Sequence, residues 1–302
     1  MNPEKILKAD LILDARAELG EGPIWDAAHA RLYWVDILDS ALHAFDPATG
    51  TDRKWDVGSH VGTVVPHARG GVVVALKDHI ATFDTEKSTP EKPGKPVASH
   101  RPPRHPANNR FNDGKCAPDG RLWVGTMAYD IAKGAGTLWR CERDGSMTAM
   151  IDHVTISNGL VWDLKRRRFY YIDTPTRTIA AYTYDPEHGS ISDRRVVVTS
   201  TEEDGFPDGM VMDEEGKLWV AHWGKHQVIC WDPDTGRALR RIHVPVPQPS
   251  ACAFGGAKLD RLYITTARQD MTADQLATYP QSGGIYVVDV GVRGRPPQAF
   301  TG

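Results

Sequence analysis

Arg31-Leu32-Tyr33-Trp34-Val35-Asp36 is an apolar and aromatic run between two charged ends, the composition of a short buried strand. The chain repeats it as Arg121-Leu122-Trp123-Val124-Gly125-Thr126, Arg168-Phe169-Tyr170-Tyr171-Ile172-Asp173, Lys217-Leu218-Trp219-Val220-Ala221 and Arg261-Leu262-Tyr263-Ile264-Thr265. Gly71-Val72-Val73-Val74-Ala75 is a degenerate sixth copy. Aligned on Leu32, Val73, Leu122, Phe169, Leu218 and Leu262, the copies fall 41, 49, 47, 49 and 44 residues apart. Each is followed by a second strand ending in a turn, from Leu42-His43-Ala44-Phe45-Asp46-Pro47 to Ile285-Tyr286-Val287-Val288-Asp289. Repeats of this length, built of strands and turns with almost no helical periodicity, predict an all-β, six-bladed β-propeller with four strands per blade. No linker interrupts the series, so residues 1–302 read as a single domain. The segment at about 8–15 precedes the first complete unit and is expected to supply the outer strand of the last blade, closing the ring. One short helix is expected from Thr272 to Tyr279, ahead of Pro280.

The 302 residues are 40% hydrophobic and 25% charged, with a formal net charge of −3. That is ordinary globular composition, without the positive balance that nucleic-acid binding needs. The basic run Lys165-Arg166-Arg167-Arg168 falls in a turn and reads as a solvated hairpin tip. Asp232-Pro233-Asp234-Thr235-Gly236 resembles the opening of a calcium EF-hand loop, but Asp46-Pro47-Ala48-Thr49-Gly50 occupies the same slot, so both read as hairpin turns. No window approaches a membrane span, and Met1-Asn2-Pro3-Glu4-Lys5 lacks the apolar core of a signal peptide. Cys116, Cys141, Cys230 and Cys252 are scattered with no Cys-x-x-Cys pair, so reduced thiols and a cytoplasmic location are expected. Nothing in the composition sets the oligomeric state beyond a monomer or weak homo-oligomer.

In a propeller the first strand of each blade lines the central channel, and its start points towards one mouth. Those starts read Glu21-Gly22-Pro23, Asn112-Asp113-Gly114, Asn158-Gly159-Leu160, Asp208-Gly209-Met210 and Ser250-Ala251-Cys252, each 10 to 12 residues ahead of its aligned second strand. Glu21, Asn112, Asn158, Asp208 and Ser250 are therefore expected to converge on one axis. Asp208 lies between Pro207 and Gly209 at the entrance to the apolar run Met210-Val211-Met212, a costly place for a carboxylate unless a cation or several donors face it. Two carboxylates and an amide oxygen suit a hard divalent cation, with Glu21 and Asp208 balancing its charge and Asn158 adding a neutral oxygen.

The chain resembles the SMP-30/gluconolactonase/regucalcin family in Leu19-Gly20-Glu21-Gly22-Pro23, Asn109-Arg110-Phe111-Asn112-Asp113-Gly114-Lys115, Gly125-Thr126-Met127, Ser157-Asn158-Gly159-Leu160 and Phe206-Pro207-Asp208-Gly209. Phe254-Gly255-Gly256 and Thr265-Thr266-Ala267-Arg268 extend the match, which runs from about residue 18 to 290. The resemblance implies a six-bladed propeller, one divalent metal ion on Glu21, Asn158 and Asp208, and substrate contacts from Arg110 and Asn112. Ca²⁺ is the first choice of ion, with Zn²⁺, Mn²⁺, Mg²⁺ or Fe²⁺ as alternatives. Family members that act on six-carbon sugar lactones often carry an acid just after Gly-Thr-Met; this chain has Ala128-Tyr129-Asp130, which leaves the sugar open.

Other chemistries find no support. There is no Gly-x-Ser-x-Gly, no Walker A motif and no dinucleotide fingerprint. His222 and His226 have a zinc-helix spacing but lie in a hairpin, where it does not bring two imidazoles together. The expected activity is metal-dependent hydrolysis of a small sugar lactone to the aldonic acid. Asp208 is the candidate general base, and water ionised on the cation is the rival. Arg110 would orient the substrate or pair with a loop acid such as Asp113. The alternatives are a phosphotriesterase-like hydrolase at the same site and a non-enzymatic calcium-binding propeller.

Overall fold

The computed structural model describes residues 7–88 and 94–302. Six mainly antiparallel sheets form a six-bladed propeller whose innermost strands are Gly20–Asp26, Val61–Pro66, Asn109–Cys116, Ser157–Asp163, Phe206–Met212 and Pro249–Gly255, blades one to six. The repeated run is the second strand in every blade, as in Arg31–Asp36, Val72–Leu76 and Leu122–Ala128. The outer strand of blade six is Asp10–Leu13, antiparallel to Ile285–Asp289. Lys8, placed by the sequence with that strand, belongs instead to Leu7–Lys8, which adds a fifth, parallel strand to blade five beside Arg237–His243. Ala9 is buried between the two pairings, so the chain steps from one blade to the next there.

The aromatic position of the repeat joins the blades. Trp123 of blade three meets Trp162 of blade four with centroids 5.6 Å apart, Trp219 of blade five meets Phe254 of blade six at 6.2 Å, and Tyr263 of blade six stacks on Trp25 of blade one at 5.7 Å. Each such pair contributes about 0.5–1.5 kcal/mol beyond the area it buries. The helix is Ala273–Thr278, capped by Thr272, whose side chain accepts from the Gln275 amide at 3.2 Å. Arg166, read as a solvated tip, instead bridges Asp163 at 2.7 Å and Asp234 of the next blade at 2.9 Å. All four cysteines are buried free thiols, and burial pushes Cys141, Cys230 and Cys252 up to about 12. Among the described residues, no helix is long and apolar enough to cross a membrane.

Candidate active site at the axial mouth

All six innermost strands carry a register shift against their neighbour, and it falls at the same level in each: Glu21/Ile24, Val61/Thr63, Phe111/Gly114, Asn158/Leu160, Pro207/Met210 and Pro249/Ala251. A bulge turns a side chain out of the pleat, and here it turns the first residues of four strands onto the axis. Glycines make the crowding possible. A Cβ on Gly62 would stand 2.5 Å from the Phe111 carbonyl oxygen of blade three, and one on Gly159 would stand 2.6 Å from that of Asp208. The acid that ends the repeat fixes the entry of the innermost strand. Asp36 accepts from the Glu18 and Leu19 amides at 2.8 and 3.0 Å, just ahead of Glu21, and Asp173 accepts from Ile156 at 2.9 Å, just ahead of Asn158.

Glu21, Arg110, Asn112, Asn158 and Asp208 line one cavity of about 450 Å³ at this mouth. A second cavity, of about 210 Å³, opens where the same strands end and is lined by Trp25, Trp162 and Phe254 with no carboxylate. Ser250, expected on the axis, is absent from the mouth; its hydroxyl is held by the Gly20 carbonyl and by Thr265. Arg110 does not pair with Asp113. Its Nη1 donates to the Phe111 carbonyl at 3.0 Å and to Asn112 Oδ1 at 2.5 Å, while Nε and Nη2 make no hydrogen bond among the described residues. Asn112 Nδ2 donates to the Ser157 carbonyl and to Asn158 Oδ1, both at 2.8 Å, so its amide hydrogens are fully engaged and only an Oδ1 lone pair is left for a substrate. Asn158 Nδ2 donates to Thr174 Oγ1 at 2.8 Å, which donates to the Pro207 carbonyl at 2.8 Å. This chain of bonds crosses blades three, four and five and orients the Asn158 amide, with its nitrogen on Thr174 and its oxygen on the side of Asn112.

The carboxylates are poorly solvated. Glu21 Oε2 accepts from the Gly22 amide at 2.9 Å, while Asp208 Oδ1 is buried with no partner among the described residues. Burial first, and then the Asp113 carboxylate, push the Glu21 carboxyl up to about 8. Burial, Glu21 and Asp113 raise Asp208 well above the ordinary carboxylate range. Asp113 itself, deeper in the channel, accepts from the Gly114 amide at 2.7 Å, has its Oδ2 unpartnered, and is raised by burial. Among the described residues, no group of three or more His, Cys, Asp or Glu side chains stands ready to hold a metal; the converging set is two carboxylates and amides. Asp113 entered the sequence reading only as a possible partner of Arg110, although its place in Asn112-Asp113-Gly114 matches the other axial starts, whereas Thr174 escaped it: it follows a blade's second strand with no local mark and matters only through its bonds to neighbouring blades.

The fold and this mouth define a class of six-bladed propellers with a polar axial site. The SMP-30/Gluconolactonase/LRE-like region matches residues 19–268, and the chain belongs to the SMP-30/gluconolactonase/regucalcin-like family. It is 39% identical over 296 residues to the Bacillus subtilis (strain 168) protein named "Putative sugar lactone lactonase YvrE", covering 98% of this chain and 99% of that one. It is 35% identical over 299 residues to regucalcin of Danio rerio, again covering 98% and 99%. A solved structure described as a calcium-binding protein, regucalcin, from Agrobacterium tumefaciens str. C58 superposes with a TM-score of 0.91 at 27% identity, covering 98% of each chain.

Proposed function

We propose that this chain is a divalent-cation-dependent lactonase that opens a small sugar lactone to its hydroxy acid. The observation that carries the reading is Asp208 Oδ1, buried and without a donor, in a cavity shared with the buried carboxyl of Glu21. Burial and mutual repulsion raise both carboxyls above the ordinary range, a shift that a dication between them would reverse. With the Asn158 amide oxygen they make an all-oxygen set, which suits Ca²⁺ first and Mg²⁺ or Mn²⁺ next, with Zn²⁺ or Fe²⁺ less well matched. Glu21, Asn158 and Asp208 would hold the ion, which when bound supplies Lewis-acid polarisation of the lactone carbonyl. Arg110 donates from Nε and Nη2 to the lactone oxygens, and Asn112, locked between Arg110 and Asn158, keeps that guanidinium in place. Asp208 takes a proton at Oδ1 as water adds to the carbonyl carbon. The bond from that carbon to the ring oxygen then breaks, and the proton passes to the ring oxygen to give the open hydroxy acid. The four buried thiols suit a reducing compartment such as the cytoplasm.

A non-enzymatic calcium-binding propeller is the second reading, favoured by the description of the Agrobacterium tumefaciens relative as a calcium-binding protein. Hydrolysis of five- and six-carbon aldonolactones, followed by acid release with each divalent ion and with chelator, separates the two. Asp208→Asn should lower turnover at saturating ion by about 10²–10⁴-fold, the usual worth of a positioned general base. Absence of hydrolysis with every ion, or undiminished turnover in the variant, rules out this mechanism.

A further inference from the structure

The far end of the channel is roofed. Beyond Ile285–Asp289 the chain crosses that mouth as a strap. Gly294 pairs with Asp213 of blade five, and its amide donates to the Leu259 carbonyl of blade six at 2.8 Å. On the other side, the Phe300 amide donates to the Pro66 carbonyl of blade two at 2.8 Å and the Thr301 amide to the Gly120 carbonyl of blade three at 3.1 Å. The first anchor is close-packed, since a Cβ on Gly294 would stand 2.2 Å from that of Phe254. Between the anchors, Arg295, Pro296, Pro297 and Gln298 close over the cavity of about 210 Å³.

The walls of this chamber are apolar and its charge is one-sided. Trp25, Val161, Trp162, Met212 and Phe254 reach it from four blades. An apolar cavity of about 150 Å³ already takes benzene, so this one has room for a six-membered ring and a short polar arm. Among the described residues that line it, Lys115 and Arg295 are cationic, none is acidic, and burial keeps Cys116 and Cys252 as neutral thiols. The chain as a whole carries −3, so the two cations are not its general background. Lys115 Nζ donates to the Met210 carbonyl but not to Asp113, the acid on its axial side, whose Oδ2 is unpartnered. Arg295 reaches Asp163 with Nη1 alone, at 3.4 Å, and that carboxylate is held more closely by Arg166 at 2.7 Å. The other donors of both side chains make no hydrogen bond among the described residues. Cationic donors left over beside aromatic walls are matched by an anion that brings an apolar body with it.

We propose that this chamber is a binding site for a small carboxylic acid with an apolar, ring-sized body. The ring lies among Trp25, Trp162 and Phe254, and the carboxylate faces Lys115 and Arg295. A sugar lactone or its hydroxy acid does not fit this description, because its hydroxyls would lose water against these walls without gaining partners. The ligand is therefore neither substrate nor product of the axial site, and the proposal stands whatever the axial mouth does.

Calorimetric titration of the full chain with phenylacetate tests this, with chelator present so that no ion at the axial mouth can take the carboxylate. Phenylacetate should bind about 10–100-fold more tightly than 2-phenylethanol, the difference made by a hydrogen bond to a charged group. Acetate, which lacks the ring, should show no binding. Arg295→Gln and Lys115→Met should each weaken phenylacetate by about 10-fold and leave 2-phenylethanol unchanged. The Arg295 side chain is 33% exposed, so Arg295→Gln carries the test if Lys115→Met does not fold. Arg110→Ala should leave phenylacetate binding unchanged. Absence of binding, or affinity for 2-phenylethanol equal to or above that for phenylacetate, overturns the inference. So does a loss in Arg110→Ala without one in Arg295→Gln, which would seat phenylacetate at the axial mouth.

Discussion

Thr174→Val tests whether the cross-blade hydrogen bonds orient the axial amide. Valine has the shape of threonine without the hydroxyl that accepts from Asn158 Nδ2 and donates to the Pro207 carbonyl, each at 2.8 Å. Thr174 is buried at the cavity wall, so both partners would lose their protein hydrogen bond there. Each stranded polar group costs about 1–3 kcal/mol, and the pair together about 3 kcal/mol once the amide relaxes. Unfolding entropy of about 2.1 cal/mol/K per residue over 302 residues converts this into a fall in Tm of about 5 °C. The second effect is on the ion. With its nitrogen released, the Asn158 amide is free to rotate, and loss of such an outer support typically weakens metal binding by about 10–100-fold. Calorimetric Ca²⁺ titration and thermal unfolding of the chelated protein measure the two separately. Thr174→Ser, which keeps the hydroxyl, should recover the affinity. A valine variant that melts lower yet binds Ca²⁺ as tightly as wild type would refute the orienting role and leave Thr174 as ordinary packing.

Arg110→Ala should reduce kcat/KM for any lactone that is turned over by about 10²-fold, the scale of a lost positioning contact, while Ca²⁺ affinity stays within about 3-fold, because a guanidinium cannot ligate a cation; a collapse in affinity instead would make it a structural support of the ligand set. His222 predicts an acid limb of stability. It is buried, burial holds it near pKa 4 against an ordinary 6.5, and its Nε2 accepts from Trp231 Nε1 at 3.1 Å, so the folded state needs the neutral ring. Because the folded pKa is the lower one, its contribution is present above pH 6.5 and is lost as pH falls towards 4, by up to about 3 kcal/mol. His222→Gln keeps an acceptor for Trp231 and should flatten that limb in urea unfolding between pH 7 and 4.5; an unaltered slope would assign the acid loss to other groups.

The propeller was legible in the sequence because each blade is a local object. The Arg-Leu-aromatic strand, its hairpin and its spacing of 41 to 49 residues are written in contiguous residues, and counting six copies already closes a ring. Strand order alone also put Glu21, Asn112, Asn158 and Asp208 on one axis, because propeller symmetry makes equivalent positions converge. It could not see that Ser250 turns aside to bond the Gly20 carbonyl, that Lys8 joins blade five, or that Arg166 is tied to Asp234, since each depends on which surface the neighbouring blade presents. The state of the site is likewise tertiary. Asp208 is an unusual acid because of burial and of Glu21 and Asp113, which approach it from two other blades. Thr174 looks ordinary in the chain and acquires meaning only through its bonds to the blades on either side. Sequence repetition determined where the axis runs, because blade hydrogen bonding is local; what the axis holds was decided by the ring, because desolvation and charge act through space between residues far apart in the chain.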